Sequence, residues 1–374
     1  MFGTRIELFK LFGIPIRLDT SWFLVAALVV WSLATGAFPY MRPGLSPSVY
    51  WVMGVAGAVG LFSSIVIHEF FHAMVARRNQ IPMRGITLFV FGGVAEMEAE
   101  PASARAELRM AAAGPLASIA LALTGFGLAD VVRGIWPASV VLVIEYLALL
   151  NGVLAGFNLL PAFPLDGGRI FRAALWAWRK DLGWATRIAS RTGSGFSLAF
   201  IAAGVVAVLF GNLVTGMWWV LIGIFLRRAS TASYQQVLLR QALAGEPIRR
   251  FMTPDPVSVP TGTTVADLVD SYIYKYHHTL FPVVDDGRLV GCVTTRQVKE
   301  VPRDDWLRRT VGSLGTPCGP DNTIAPDADA LEAITVMKRT GQPRLMVVEG
   351  SRLLGIVTLK DLLEFFALKL ELEP

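Results

Sequence analysis

Charge is scarce along this chain. Only 17% of its residues are Asp, Glu, Lys or Arg, against 53% hydrophobic, a balance that excludes an ordinary soluble globule. Histidine is scarcer still, with four in 374 residues, so histidine-based metal chemistry is confined to very few places. The two cysteines, Cys292 and Cys318, are too few for a disulfide framework and are expected as free thiols. The N-terminus lacks a short apolar region followed by a small-residue cleavage site, so no cleavable signal peptide is expected and the first apolar run serves for insertion. The runs also lack the internal duplication that many carriers show.

What is present is a series of long apolar runs: Trp22 to Phe38, Tyr50 to Ala76, Met110 to Ala129, Ser139 to Leu160, Phe196 to Phe210 and Leu213 to Leu226. Each is long enough, or nearly so, to cross a hydrocarbon core of about 30 Å. After Arg227 the composition becomes that of a soluble protein. Basic residues alternate between the connections. Arg5, Lys10 and Arg17 precede the first run, Arg42 alone follows it, and Arg77, Arg78, Arg84, Arg105 and Arg109 follow the second. Arg133 alone follows the third, and Arg169, Arg172, Arg179, Lys180, Arg187 and Arg191 follow the fourth. The positive-inside rule then predicts six spans in the cell membrane, with both termini cytoplasmic. The net charge of +5 is accounted for by topology and attraction to anionic lipid, with no nucleic acid needed.

The second run contains Ser64-Ile-Val-Ile-His68-Glu69-Phe-Phe-His72. On a helix, a spacing of four sets His68 and His72 on one face, one turn apart, where two imidazoles can grip one metal ion. Glu69 lies beside that face, where its carboxylate can take a proton from water activated by the metal. Three ionisable residues within one turn of a span are costly and point to function. A tetrahedral catalytic zinc needs a third protein ligand. Asp166, in Asn158-Leu-Leu-Pro161-Ala-Phe-Pro164-Leu-Asp166-Gly167-Gly168, is the best candidate, and Glu145 inside the fourth run is a rival. Prolines and glycines break the apolar run there, which is tolerated at membrane depth only where backbone is covered or lines a wet cavity. Counting back from Arg77 puts the histidines roughly 8 to 14 Å in from the cytoplasmic end of the helix.

His68-Glu-Phe-Phe-His72 together with Asn158-x-x-Pro161-x-x-Pro164-Leu-Asp166-Gly resembles the site-2 protease family of intramembrane zinc metalloproteases. The resemblance implies His68, His72 and Asp166 as Zn2+ ligands, Glu69 as general base, and Asn158 as a polar group that helps hold substrate or the tetrahedral intermediate. It also implies that Ile86-Thr-Leu-Phe-Val-Phe-Gly92-Gly93-Val-Ala-Glu-Met is a re-entrant β-hairpin, with Gly92 and Gly93 at the place where an unwound transmembrane substrate is bound as an added strand. Gly114-Pro115 fits close helix packing. The acidic run Glu96, Glu98 and Glu100 reads as a solvated loop.

The soluble part repeats itself. Phe281-Pro-Val-Val-Asp-Asp-Gly-Arg-Leu-Val-Gly291-Cys-Val-Thr294 aligns with Leu345-Met-Val-Val-Glu-Gly-Ser-Arg-Leu-Leu-Gly355-Ile-Val-Thr358, an offset of 64 residues from Gly291 to Gly355. Each unit reads as helix, strand, Gly turn, strand, helix. The pair resembles tandem CBS domains, which implies binding of an adenine nucleotide (ATP, ADP or AMP) through Thr358 and Asp361 of Thr358-Leu-Lys-Asp361. Thr294-Thr-Arg-Gln297 has glutamine in place of the carboxylate, so at most one good nucleotide site is expected. A homodimer through the pair is a further expectation. His277 and His278 are adjacent, with no other ligand at useful spacing, and read as surface or helix-end residues.

The expected fold is a multi-pass α-helical membrane protein with a small β-hairpin, followed by a soluble α/β CBS pair. The domains are 1–230 (metalloprotease), 231–245 (linker), 246–310 (first CBS domain) and 311–374 (second). A nucleotide-gated transporter is the rival reading, since intramembrane His, Glu and Asp can carry ions. It gives no reason for the two motifs to occur together.

Overall fold

The computed structural model describes residues 5–81, 83–89, 92–97 and 101–372. The chain forms two units, residues 1–235 and 236–374.

In the first unit, six helices among the described residues are long and apolar enough to cross a membrane. The first, Thr20–Met41, consists of α1 (Thr20–Ser32), a π-helical turn (Leu33–Ala37) and a short α2 (Phe38–Met41). Then follow α3 (Pro47–Arg78), α4 (Ala104–Val132), α5 (Ala138–Asn158), the shorter amphipathic α6 (Asp166–Arg179), α7 (Leu182–Leu209) and α8 (Leu213–Leu243). Their starts carry local signals. Asp19 caps α1 by accepting the Ser21 N–H (2.9 Å), Ser103 caps α4 through the Ala106 N–H (3.2 Å), and Pro47 opens α3, where its missing donor costs nothing. Helix α7 starts well before Phe196 because Arg187 and Arg191, which break the apolar run, do not break the backbone ladder. For the same reason α8 continues through the stretch expected as linker as far as Leu243.

The hairpin is part of a larger sheet. Strands β1 (Arg5–Leu11), β2 (Ile14–Asp19), β3 (Met83–Phe89) and β4 (Gly92–Met97) lie in the order β1-β2-β3-β4, with β2 and β3 parallel and the other pairs antiparallel. Ile14 and Ile16 of β2 and Ile86 of β3 pack on Phe70 and Ala73 of α3, seating the sheet on the helix that carries the His-Glu motif. Strand β4 forms one edge. Val90 and Phe91, between β3 and β4, lie outside the described residues, as do Glu98 and Glu100 of the acidic run. Glu96 is in β4 rather than in a solvated loop. Its carboxylate accepts the Thr87 hydroxyl (3.0 Å) and pairs with Arg5 (2.9 Å), so the sheet itself holds it.

The second unit has two four-stranded sheets that exchange edge strands. Strands 280–285 and 288–294 pair with Val259–Pro260 and with Thr316–Pro317; strands 344–349 and 352–358 pair with Thr323–Ile324 and with Thr253–Pro254. The segment before the first repeat therefore completes the second sheet. The repeated glycines make this exchange feasible: a Cβ at Gly291 would meet the Thr316 carbonyl oxygen at 2.4 Å, and one at Gly355 that of Thr253 at 2.6 Å. Each sheet has its own core, centred on Phe281, Val283 and Val293 in one case and on Leu345, Val347 and Val357 in the other. Cys292 is buried, Cys318 is exposed, and both thiols are free.

Candidate metal centre

Helix α3 brings His68 and His72 together one turn apart, with their Nε2 atoms 3.2 Å from each other. The chain breaks after Asn158, runs through Pro161 and Pro164, and restarts as α6 with Asp166 in its first turn. This break delivers Asp166 Oδ2 to 3.1 Å from each Nε2. Tetrahedral zinc with bonds of about 2.0–2.1 Å separates its donors by about 3.3 Å, so the triangle fits such an ion. The two imidazoles are buried and the carboxylate nearly so.

The surroundings orient the rings. His72 Nδ1 lies 2.7 Å from the Met110 carbonyl oxygen. A carbonyl only accepts, so Nδ1 carries the proton and the Nε2 lone pair of a neutral ring is left for a metal. His68 Nδ1 shares a 2.9 Å hydrogen bond with the buried Ser118 hydroxyl. Both supports come from α4, on which Gly114 passes closest to the rings. A Cβ there would meet His72 Nε2 at 2.2 Å and His68 Nε2 at 2.6 Å. Gly114, expected only as a packing residue, thus keeps open the space where the donors converge.

Glu69 projects toward β4, and its Oε2 accepts the Ala95 backbone N–H at 3.1 Å. A Cβ at Gly93 would meet Glu69 Cγ at 2.7 Å and Ile65 Cγ2 at 3.0 Å, so the glycine lets the strand lie directly on this helix. The donors, Glu69, Gly93 and Asn158 border a cavity of about 280 Å³. Asn158 also donates its amide to the Leu154 carbonyl (3.0 Å), closing the end of α5. Gly92 begins β4 with φ of 123° and open space beside it. Glu145 is elsewhere, bonded to Arg133 at 2.6 Å, which removes it as a rival ligand.

One pair was not visible in the sequence. Arg172 of α6 donates from Nε to Glu107 Oε1 of α4 at 2.8 Å and also from Nη2, with both side chains buried. The partners are far apart in the chain, and nothing local to either announces the other. The bond ties the helix bearing Asp166 to the helix that supports both histidines.

In the second unit, Thr358 and Asp361 border a cleft of about 470 Å³ with His278, Arg344 and Lys360. The Thr358 N–H donates to Asp361 Oδ2 (2.9 Å) and the Asp361 N–H to Thr358 Oγ1 (3.2 Å), so the pair caps the helix Leu359–Leu372. His278, read as a surface residue, lines this cleft, while His277 ends a helical turn at φ of 56°. Gln297 of the first repeat is tied down. It accepts from the Thr294 N–H (2.8 Å) and donates to the Leu314 carbonyl (2.8 Å) and the Thr316 hydroxyl (3.0 Å).

The chain is similar in sequence to Peptidase family M50 over residues 56–137 and 134–202, and to the CBS domain over 248–304 and 314–368. The Rip3 protein of Mycobacterium tuberculosis is 36% identical over 359 residues, covering 95% of this chain and 91% of that one. The zinc metalloprotease MJ0392 of Methanocaldococcus jannaschii is 30% identical over 368 residues, covering 96% and 95%. A solved structure of the site-2 protease from the same archaeon is 30% identical and covers 61% of this chain and 94% of that one, with a TM-score of 0.41.

Proposed function

We propose, for a chain that belongs to peptidase family M50 and is a site-2 type zinc metalloprotease carrying a CBS-domain pair, that it cuts transmembrane or membrane-associated proteins within the bilayer. His68, His72 and Asp166 are the zinc ligands in this reading. The observation that carries it is the triangle of three donor atoms, 3.1 to 3.2 Å apart, beside Glu69 and under an edge strand.

Zinc bound there supplies Lewis-acid activation of water and of the scissile carbonyl. The protein's own groups do the rest. Glu69 takes the proton from the attacking water on its carboxylate and passes it to the leaving amine. A transmembrane helix hides its carbonyls in internal hydrogen bonds, so the segment must be extended before it can be cut. Pairing with the free edge of β4 supplies the extended form. Asn158 lies on the cavity wall, where its amide can hold the substrate backbone.

The distribution of Arg and Lys supports both termini and the CBS pair in the cytoplasm. Thr358, Asp361, Arg344 and Lys360 around one cleft support binding of an adenine nucleotide, with hydroxyl and carboxylate for a ribose and cations for phosphate, and hence modulation of proteolysis by nucleotide. A homodimer through the CBS pair belongs to the same reading.

The test is zinc content by mass spectrometry on detergent-purified protein, with cleavage measured in parallel. One zinc per chain in the wild type, lost in His68→Ala and Asp166→Ala and kept in Glu69→Gln with cleavage abolished, is the expected result. Zinc retained in both ligand variants, or cleavage surviving Glu69→Gln, would overturn the assignment.

A further inference from the structure

Among the described residues, strand β4 pairs with another strand on one side only, with β3. On the strand, Ala95 lies opposite Ile86, yet its N–H is spent on Glu69 Oε2 at 3.1 Å. Backbone polar groups alternate between the two sides of a strand, so Gly93, Ala95 and Met97 present theirs to the same side, and all three line the cavity with the donor triangle. The edge on which an extended chain would pair is thus held at its centre by the side chain that serves as base. The close approach at Gly93, where a Cβ would stand 2.7 Å from Glu69 Cγ, keeps the carboxylate within reach of that amide.

We infer that the Ala95 N–H is a shared donor: it holds the Glu69 carboxylate while the edge of β4 is empty, and passes to a backbone carbonyl of the substrate when a chain pairs there. The inference rests on the strand-addition reading above. An edge amide offers one hydrogen, and two acceptors on it would weaken each other. A pairing chain therefore takes the hydrogen and frees Glu69 from the strand, leaving its carboxylate beside the donors, where the proton is to be moved. The exchange replaces one hydrogen bond by another, so it asks little of the binding energy. Ala95 is a positioning residue in this scheme. It keeps the base oriented in the resting enzyme and makes its release depend on the arrival of an extended chain. A helical segment, with its carbonyls already bonded internally, cannot take the amide.

The test uses full-length protein in detergent, with zinc content verified, and fluorescein-labelled β-casein as an unfolded probe chain. Glu69→Gln keeps an oxygen acceptor for the amide and Glu69→Ala removes it; neither has the base, so the probe stays intact in both. Probe affinity by fluorescence anisotropy is expected to be about fivefold tighter for Glu69→Ala, the worth of one released hydrogen bond. Hydrogen exchange in residues 92–97 is expected to be faster in Glu69→Ala than in Glu69→Gln without probe, and slowed in both with it. Equal affinity in the two variants, with 92–97 protected by the probe in each, overturns the shared donor and leaves strand addition standing. Binding without protection of 92–97, or no binding, overturns strand addition and the shared donor with it. Equal exchange without probe overturns the resting hold on Glu69.

Discussion

The Met110 carbonyl oxygen and His72 Nδ1 are 2.7 Å apart, and this contact fixes both the ring orientation and the nitrogen left for a metal. Because the acceptor is backbone, no side-chain substitution at position 110 removes it. The vulnerable element is the path of α4 past the rings. Gly114→Ala places a methyl 2.2 Å from His72 Nε2, closer than any real contact, and both neighbours are ring atoms rather than flexible chain ends. Zinc content of the purified variant is expected to fall at least about tenfold, as supporting contacts of metal ligands predict. Helix content by circular dichroism should stay at the wild-type level, which separates loss of the metal from loss of the fold.

Ser118→Ala tests the other support. It removes the 2.9 Å partner of His68 Nδ1 without adding bulk, so the ring loses its orienting bond and keeps its space. Zinc affinity, measured by competition with a chromogenic chelator, is expected to drop by about tenfold to a hundredfold. That is a smaller loss than in His68→Ala, and Ser118→Thr should recover most of it because the hydroxyl is kept.

His68, His72 and Asp166, whose donor atoms meet, and Glu69 beside them were legible as candidates in the sequence because they sit in two short motifs with helical spacing and a proline break. The supports were not. Ser118 and Met110 look like ordinary residues of an apolar helix, and only the packing of α4 on α3 gives them a role. Gly114 was visible as a packing residue, but its neighbour, the donor triangle, was not. The sheet was half legible. Residues 86–97 carry a Gly-Gly turn signal, whereas β1 and β2 are masked by interspersed charge, although Ile14, Ile16 and Leu18 alternate after the Phe12-Gly13 turn and are all buried. In the second unit the 64-residue repeat showed the two sheets and hid the exchange of their edge strands, since a two-residue strand such as Thr253–Pro254 leaves no periodicity.

Glu107 and Arg172 give a prediction about stability. Both are buried and paired, and removing one partner leaves a charge with nothing to balance it. Arg172→Met or Glu107→Leu alone should each cost about 3–5 kcal/mol, seen as a thermal midpoint in detergent lower by roughly 10 °C. The double variant Glu107→Leu with Arg172→Met should recover most of the midpoint, because an apolar pair fills the same volume without a buried charge. Zinc affinity separates stability from positioning. If the pair fixes α6 relative to α4 for the sake of Asp166, the double variant regains its midpoint while binding zinc more weakly than the wild type.

The two repeats of the second unit differ in what they offer a nucleotide. Thr358 and Asp361 cap a helix and border an open cleft. Gln297, at the matching place in the first repeat, is bonded to Leu314 and Thr316, so its amide joins two segments where the second repeat offers a carboxylate to the cleft. Titration calorimetry of the full-length protein with ATP, ADP and AMP is expected to give one site per chain. Asp361→Asn should weaken that site by about tenfold, since a charge-assisted bond to a ribose hydroxyl becomes a neutral one. Gln297→Ala should leave both the stoichiometry and the affinity unchanged and lower the thermal midpoint, because it removes the bonds to Thr294, Leu314 and Thr316 but no nucleotide contact. Two sites per chain, or an effect of Gln297→Ala on affinity equal to that of Asp361→Asn, would place nucleotide in the first repeat as well and end the one-site reading.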